Sequence, residues 1–360
     1  YTGTGSDQAI SSLSFQPDFV WIKTRNEAEN HFIVDSVRGV TKQLYANSTG
    51  QEYTNSNRFK SFDSNGFTVG STDDTNQNNN TFVAWAWKAG GTASSNSNGS
   101  ITSSVSANST YGFSIVTYTG TGSNATVGHG LSSAPKLIIV KDRSQATGWS
   151  VYHDSIATST NNYVELQDGA AASQDNTAFQ NTASTNSVFS IGTKAAVNTS
   201  GDNFVAYCWS EVSRFSKFGT YTGNGSATGP VITTGFKPRF VLVKGSSHSS
   251  NWNIIDTARS TSNPRSDVLR PNSTAGEFSS PSGAYGISFD VLDNGFQLKS
   301  GSSTNDVNQT NETYIYAAFA SSPDTAFVDS LIDTPTNYEA SSYGNPGGNY
   351  CTANPLHTNS

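Results

Sequence analysis

Charge is scarce in this 360-residue chain: Asp, Glu, Lys and Arg together make up 13% of it, against about a quarter in ordinary soluble domains. No run of Lys or Arg occurs, and the formal net charge is -7. Affinity for nucleic acid is built on clustered cations, so a nucleic-acid partner is excluded as an expectation. No stretch approaches the ~18 consecutive apolar residues of a membrane-spanning helix. The longest apolar runs, such as Phe82-Val-Ala-Trp-Ala-Trp87, are strand-sized, and membrane insertion is not expected. Cysteine is limited to Cys208 and Cys351, too few for a disulfide scaffold. Cys208 lies in the apolar run Phe204-Val-Ala-Tyr-Cys-Trp209 and reads as a small buried hydrophobe. Methionine is absent, and the chain opens at Tyr1 inside what proves to be a repeated motif, so a piece of a longer product is expected.

Uncharged polar residues fill the space left by charge. That composition alone would suit a disordered segment, but 20 Phe, 15 Tyr and 6 Trp supply the large apolar side chains that disorder lacks. The length favours two or three folded domains.

Internal repetition is the strongest signal. Tyr1-Thr-Gly-Thr-Gly-Ser6, Tyr118-Thr-Gly-Thr-Gly-Ser123 and Tyr221-Thr-Gly-Asn-Gly-Ser226 are nearly one hexapeptide. Each is followed by a Pro-led apolar run ending on Lys: Pro17 to Lys23, Pro135 to Lys141 and Pro238 to Lys244. Next comes a second run closing on an aspartate: His31 to Asp35, Trp149 to Asp154 with one extra residue, and Trp252 to Asp256. Aromatic segments around Phe67, Phe189 and Phe296 follow, and each copy ends on Phe82–Trp87, Phe204–Trp209 or Tyr314–Phe319.

These runs are short, rich in Val, Ile and aromatics, and bounded by Gly, Asn, Asp and Ser, which is the signature of strands and turns. Continuous apolar stretches such as Leu137 to Val140 suit strands covered on both faces or central in a sandwich. The expected fold is all-β: three tandem β-sandwich domains of jelly-roll or lectin-like type. The expected boundaries are 1–91 for the first repeat, 92–111 for a flexible Ser/Asn/Gly linker, 112–213 for the second repeat and 214–322 for the third. Copies two and three, joined by a shorter segment, are expected to pack more rigidly than one and two. An extended arm over 323–360 is expected to lead into a further domain.

Catalytic chemistry finds little support. No Gly-x-Ser-x-Gly elbow occurs, and His153 and Asp154, adjacent in a strand, point to opposite faces. Asp35, Asp154 and Asp256 read as equivalent turn-capping residues rather than half of a glycosidase pair. No enzyme activity, catalytic residue or cofactor is expected. Asp73 and Asp74, in the oxygen-rich segment Asp73 to Asn78, read as part of a solvated hairpin loop and no metal is expected; they are only weak calcium candidates, because the Gly and terminal Glu of an EF-hand loop are absent. Trp149, Trp252 and the aligned His31 are candidates for stacking on sugar rings, with core packing the competing reading. Asn-x-Ser/Thr triplets, including those at Asn47, Asn98, Asn108, Asn124, Asn198, Asn224, Asn272 and Asn311, are glycosylation sites only if the host modifies them.

The Tyr-Thr-Gly-x-Gly-Ser, Pro-x-Phe-Val-x-x-Lys and Phe-Val-Ala-Trp-Ala-Trp landmarks resemble a repeated domain of tail-fibre-like structural proteins from tailed phages, those of cyanobacteria and marine bacteria above all. The resemblance covers residues 1 to about 322 and implies a virion appendage. It implies as partners further copies of the chain (a trimer or filament), other virion proteins and a host surface polysaccharide, and it carries over no binding residue. The alternative is a secreted bacterial surface fibril or adhesin, extracellular and possibly glycosylated. A polysaccharide depolymerase is the third class.

Overall fold

The computed structural model describes residues 1–158, 163–279, 286–300 and 306–321. The protein is all-β, with sandwiched sheets repeated three times along the chain. The arm expected over 323–360, and Cys351 within it, lie outside the described residues.

Each repeat is built on an antiparallel trio. A leading strand (Phe19–Thr24, Pro135–Asp142, Phe240–Gly245) pairs on one side with a second strand (Phe32–Asp35, Ser150–His153, Asn253–Asp256) and on the other with a closing strand (Phe82–Trp87, Asn203–Ser210, Thr313–Phe319). In repeats two and three an opening strand, Phe113–Thr119 or Ser216–Thr222, pairs along the free side of the closing strand. A smaller sheet covers one face of the trio: Gln8–Ile10, Gly66–Val69 and Phe59–Asp63 in the first repeat, Ala125–Gly128 and Val188–Ile191 in the second, and Val231–Thr233, Gly295–Leu298 and Phe289–Leu292 in the third.

The Tyr-Thr-Gly-x-Gly-Ser motif is a loop locked from below. Its tyrosine stacks on the first aromatic of the closing strand, with ring centroids 5.1 Å apart for Tyr1 and Phe82, 5.2 Å for Tyr118 and Phe204, and 5.0 Å for Tyr221 and Tyr314. Each tyrosine hydroxyl donates to a carbonyl one residue before a buried asparagine: Thr75, Val197 or Val307. That asparagine, Asn76, Asn198 or Asn308, accepts from the loop backbone through Oδ1 and donates through Nδ2 to two carbonyls. The first glycine of the motif is required because a Cβ on Gly3, Gly120 or Gly223 would sit 2.2 Å from a backbone oxygen. The second, Gly5, Gly122 or Gly225, has φ of 73°, 73° or 65°, the left-handed region that favours glycine. Asn198, one of the triplet asparagines, is therefore an internal fastener with no exposed surface.

The repeats are not beads on a string. The trio sheets are apolar on both faces, and the face away from the small sheet turns inward to one core shared by all three copies. Trp87, Trp209 and Phe319, at matching places in the closing strands, meet there. Trp87 lies edge-on to Trp209 at 5.9 Å and to Phe319 at 5.6 Å, with Phe19 and Phe240 filling between. The segment expected as a flexible linker, 92–111, instead carries the strands Ser94–Asn96 and Ser103–Asn108, which extend the second repeat's sheet beyond its opening strand. Ile101 and Val105 are buried; their apolar side chains, interleaved with Ser and Thr, are what draws a polar segment into a sheet.

Because the central cluster belongs to all three repeats, Trp209→Ala is expected to cost about 3–5 kcal/mol and to lower one common unfolding transition. Calorimetry that resolved separate transitions, with only one shifted, would contradict a shared core.

Candidate functional site

The residues at the heads of the second strands sit at the seams between repeats. Trp149 and Trp252 are fully buried, and their indole N–H groups donate to backbone carbonyls of the preceding repeat: Trp149 to Tyr45 and Ser48 at 2.9 and 3.1 Å, Trp252 to Glu165 at 2.8 Å. His31 holds the matching place in repeat one, buried, with Nδ1 accepting from Trp21 Nε1 at 3.0 Å. Burial depresses its pKa well below the usual histidine range. None of the three offers a face to a sugar ring, which corrects the stacking reading: an aromatic that leads an apolar strand is drawn into the core.

The lysines that end the leading strands are buried too. Lys141 donates across the seam to the Thr49 carbonyl at 3.2 Å, and Lys244 to the Ala170 carbonyl at 2.7 Å. Lys23 donates to the carbonyls of Thr24 and Glu27. Burial lowers the pKa of each to about 8. A ring of three seams results, because the third repeat meets the first through Glu277 and Arg25.

Two seams carry the same buried ionic chain. Asp35 accepts from the amides of Val37 and Arg38 and pairs with the Arg38 side chain at 2.5 Å; Arg38 reaches Glu52 at 3.0 Å, and Glu52 is clasped by Arg143 of the next repeat through both nitrogens at 2.9 Å. Asp256, Arg259, Glu277 and Arg25 reproduce it between repeats three and one. Each aspartate also accepts from a closing-strand side chain across its seam, Tyr207 Oη at 2.7 Å or Trp85 Nε1 at 3.1 Å.

The third seam is different, and the register says why. Phe19 pairs with Asp35 and Phe240 with Asp256, whereas Leu137 pairs with His153. The position equivalent to the two aspartates is thus His153, and the second repeat has no extra residue. Asp154 stands one place beyond, ion-paired with Lys136 at 2.7 Å. His153 does the aspartate's work: Nδ1 accepts from the Ser155 amide at 3.3 Å, and Nε2 lies 3.1 Å from the Tyr316 carbonyl across the seam. Ile156, Ala172 and Ser246 replace the arginine, glutamate and second arginine. The backbone tie between Ala172 and Ser246 matches those between Glu52 and Arg143 and between Glu277 and Arg25.

These carboxylates are sealed and spent on arginine, so they provide no accessible acid–base pair. Among the described residues, no group of three or more His, Cys, Asp or Glu is arranged to hold a metal ion. Asp74 is buried, accepting from Tyr45 Oη at 2.8 Å and pairing with Arg58 at 2.8 Å; its neighbour Asp73 is exposed. The candidate calcium pair is therefore split, one member held by a cation and the other facing solvent.

Asp74 instead forms one wall of a surface cleft of about 430 Å³ with Glu29, Asn30, Tyr45 and Arg58. The Arg58 guanidinium lies over the rings of Tyr45 and Tyr53 at 5.7 and 5.5 Å and donates to Gln43 Oε1 at 2.8 Å. Tyr53 borders this group and is 36% exposed, one of two large apolar side chains in the described chain that reach this level. Burial, with the Asp74 and Asp73 charges adding to it, raises the pKa of Glu29. In register Tyr45 matches Glu165 and Arg270, and Tyr53 matches Ser173 and Phe278, so the two tyrosines belong to repeat one alone, although Arg270 lies over the Phe278 ring at 4.7 Å in repeat three. Sequence reasoning missed Tyr53 and Arg58.

The fold and its seams define a three-copy β-sandwich ring. The chain belongs to the family described as Domain of unknown function (DUF7483), whose model matches residues 1–323, all three repeats as one unit. No curated protein and no solved structure matches it.

Burial lowers the His153 pKa to about 4, whereas an unfolded histidine titrates near ~6.5. As pH falls the unfolded chain takes up the proton first, so stability present above about 6.5 erodes between about 6.5 and 4, by on the order of 3 kcal/mol from this residue. Denaturant titrations at several pH values are expected to show that loss, and His153→Gln to flatten it.

Proposed function

We propose that the protein is a non-catalytic structural component of a phage tail-fibre- or spike-like appendage, and that its first repeat touches host surface glycan through the cleft beside Tyr53 and Arg58. The observation that carries this reading is the cleft itself. It sets an exposed aromatic beside a guanidinium, a carboxylate and amide oxygens, the mixture that lets a protein lie against a sugar's apolar face while bonding its hydroxyls. The two chains from Asp35 to Arg143 and from Asp256 to Arg25 hold repeats together, which supports a scaffold rather than an enzyme. A surface low in charge and a backbone tied into sheets suit a protein exposed to proteases outside a cell. The resemblance of the repeated landmarks to those of tail-fibre-like proteins is what supports placement on a virion. Binding at one cleft would be weak and multiplied by the number of copies on the particle.

Saturation-transfer NMR with host surface polysaccharides is the direct test. Wild-type protein is expected to bind, and Tyr53→Ala to weaken binding about tenfold, the loss of roughly 1.4 kcal/mol of stacking. No binding across the panel, or binding indifferent to Tyr53, would sink the glycan reading. Mass spectrometry of purified virions tests location; finding the protein on bacterial surfaces and not in particles would move it to a surface fibril.

A further inference from the structure

The cleft beside Tyr53 carries more negative charge than its own cation cancels. Glu29, Asp73 and Asp74 line it, against Arg58. Asp74 is satisfied: Oδ1 accepts from Arg58 Nε and Oδ2 from Tyr45 Oη, each at 2.8 Å. Arg58 is equally committed, with Nη1 on Gln43 and its plane over Tyr45 and Tyr53. Glu29 and Asp73 are left over. Among the described residues neither carboxylate is hydrogen-bonded or ion-paired, and they reach the cleft from separate elements, Glu29 from the loop ahead of Phe32–Asp35 and Asp73 from the short helix Asp73–Asn76. Lys23, the other cation that Glu29 feels, keeps its ammonium on the carbonyls of Thr24 and Glu27. Burial, with the Asp74 and Asp73 charges added, raises the Glu29 pKa, so this half-buried carboxylate ionises against its surroundings. The fold does not require these charges. Counting back from the buried asparagines Asn76 and Asn198, repeat two has Ala195 and Ala196 in place of Asp73 and Asp74; counting back from His31 and Trp149, it has Thr147 in place of Glu29.

We propose that the cleft takes an amino sugar whose amine is free, its ammonium held by Glu29 and Asp73 and its ring against Tyr53. The inference rests on the glycan reading of this cleft and adds the charge of the sugar. Among the described residues the carboxylates are not arranged to close on a metal ion; they set a negative field over a lining completed by Asn30, Ser71 and Thr72. An ammonium brings three donors and a positive charge to two carboxylates that lack both. N-acetylation removes that charge and leaves the carboxylates to be desolvated without a partner. A uronic acid or a sulfated sugar fares worse, because its own negative charge approaches two others, and the cleft thereby rejects as well as selects.

Titration calorimetry with a glucosamine oligomer and with its fully N-acetylated counterpart, which has the same rings and linkages, is the test. The free-amine form is expected to bind about tenfold tighter, with a preference that shrinks as salt is raised. Glu29→Gln and Asp73→Asn remove no hydrogen bond of the fold; each is expected to erase most of the preference at an unchanged melting temperature. Binding of the amine form that survives both substitutions would overturn the inference, since the contact would then be with acidic surface elsewhere. Equal or tighter binding of the acetylated form would overturn it too. If the two forms bind alike and both weaken in Tyr53→Ala, or if neither binds while another glycan does so through Tyr53, the glycan reading stands and the amine assignment alone falls. If no glycan binds, both fall together.

Discussion

A strand that is apolar on both faces has to be covered twice, and the rest of this structure follows from that constraint. The leading strand Phe19–Thr24 is buried at every position, as are the matching six residues of the third repeat. One small sheet covers one face of each trio; the other face has nowhere to go but against its sisters. Three such faces closing on one another bury Trp87, Trp209 and Phe319 together, and a head-to-tail contact repeated three times returns to its starting point instead of growing into a filament.

The seams show two solutions to one problem. Where Asp35 and Asp256 cap a turn, an arginine, a glutamate and a second arginine must follow, because a buried carboxylate is tolerable only when paired and hydrogen-bonded. Where His153 caps the turn, the neutral imidazole needs no counter-ion, and the chain drops to Ile156, Ala172 and Ser246. Charge enters or leaves this interface as a set.

Much of the fold was legible in the sequence because short-range chemistry wrote it. The triplicated Tyr-Thr-Gly-x-Gly-Ser loop, the Pro-led strands and their apolar faces all appear as expected. The shared core was not legible: a run such as Leu137 to Val140 says that both faces need cover, and nothing local says what supplies it. The 92–111 segment was misread because its Ser and Asn content outweighed the apolar period through Ile101 and Val105. Asp154 was aligned with Asp35 by residue type, whereas pairing register, invisible in one dimension, gives the place to His153. Trp149 and Trp252 announced large aromatics without saying whether they faced solvent or a neighbouring repeat. The group of Tyr45, Tyr53, Arg58 and Asp74 gathers residues from three separate stretches, so no spacing rule could have assembled it.

Carrying the ring on one chain has an evolutionary consequence. A ring of identical subunits must place the same side chain three times around its axis, and any change there is made in triplicate. Here the axis holds two tryptophans and one phenylalanine, and the facing positions hold Trp85, Tyr207 and Ala317. Each seam can change on its own while the other two hold the ring closed. One repeat is then free to acquire a surface such as that around Tyr53 without its sisters having to tolerate it.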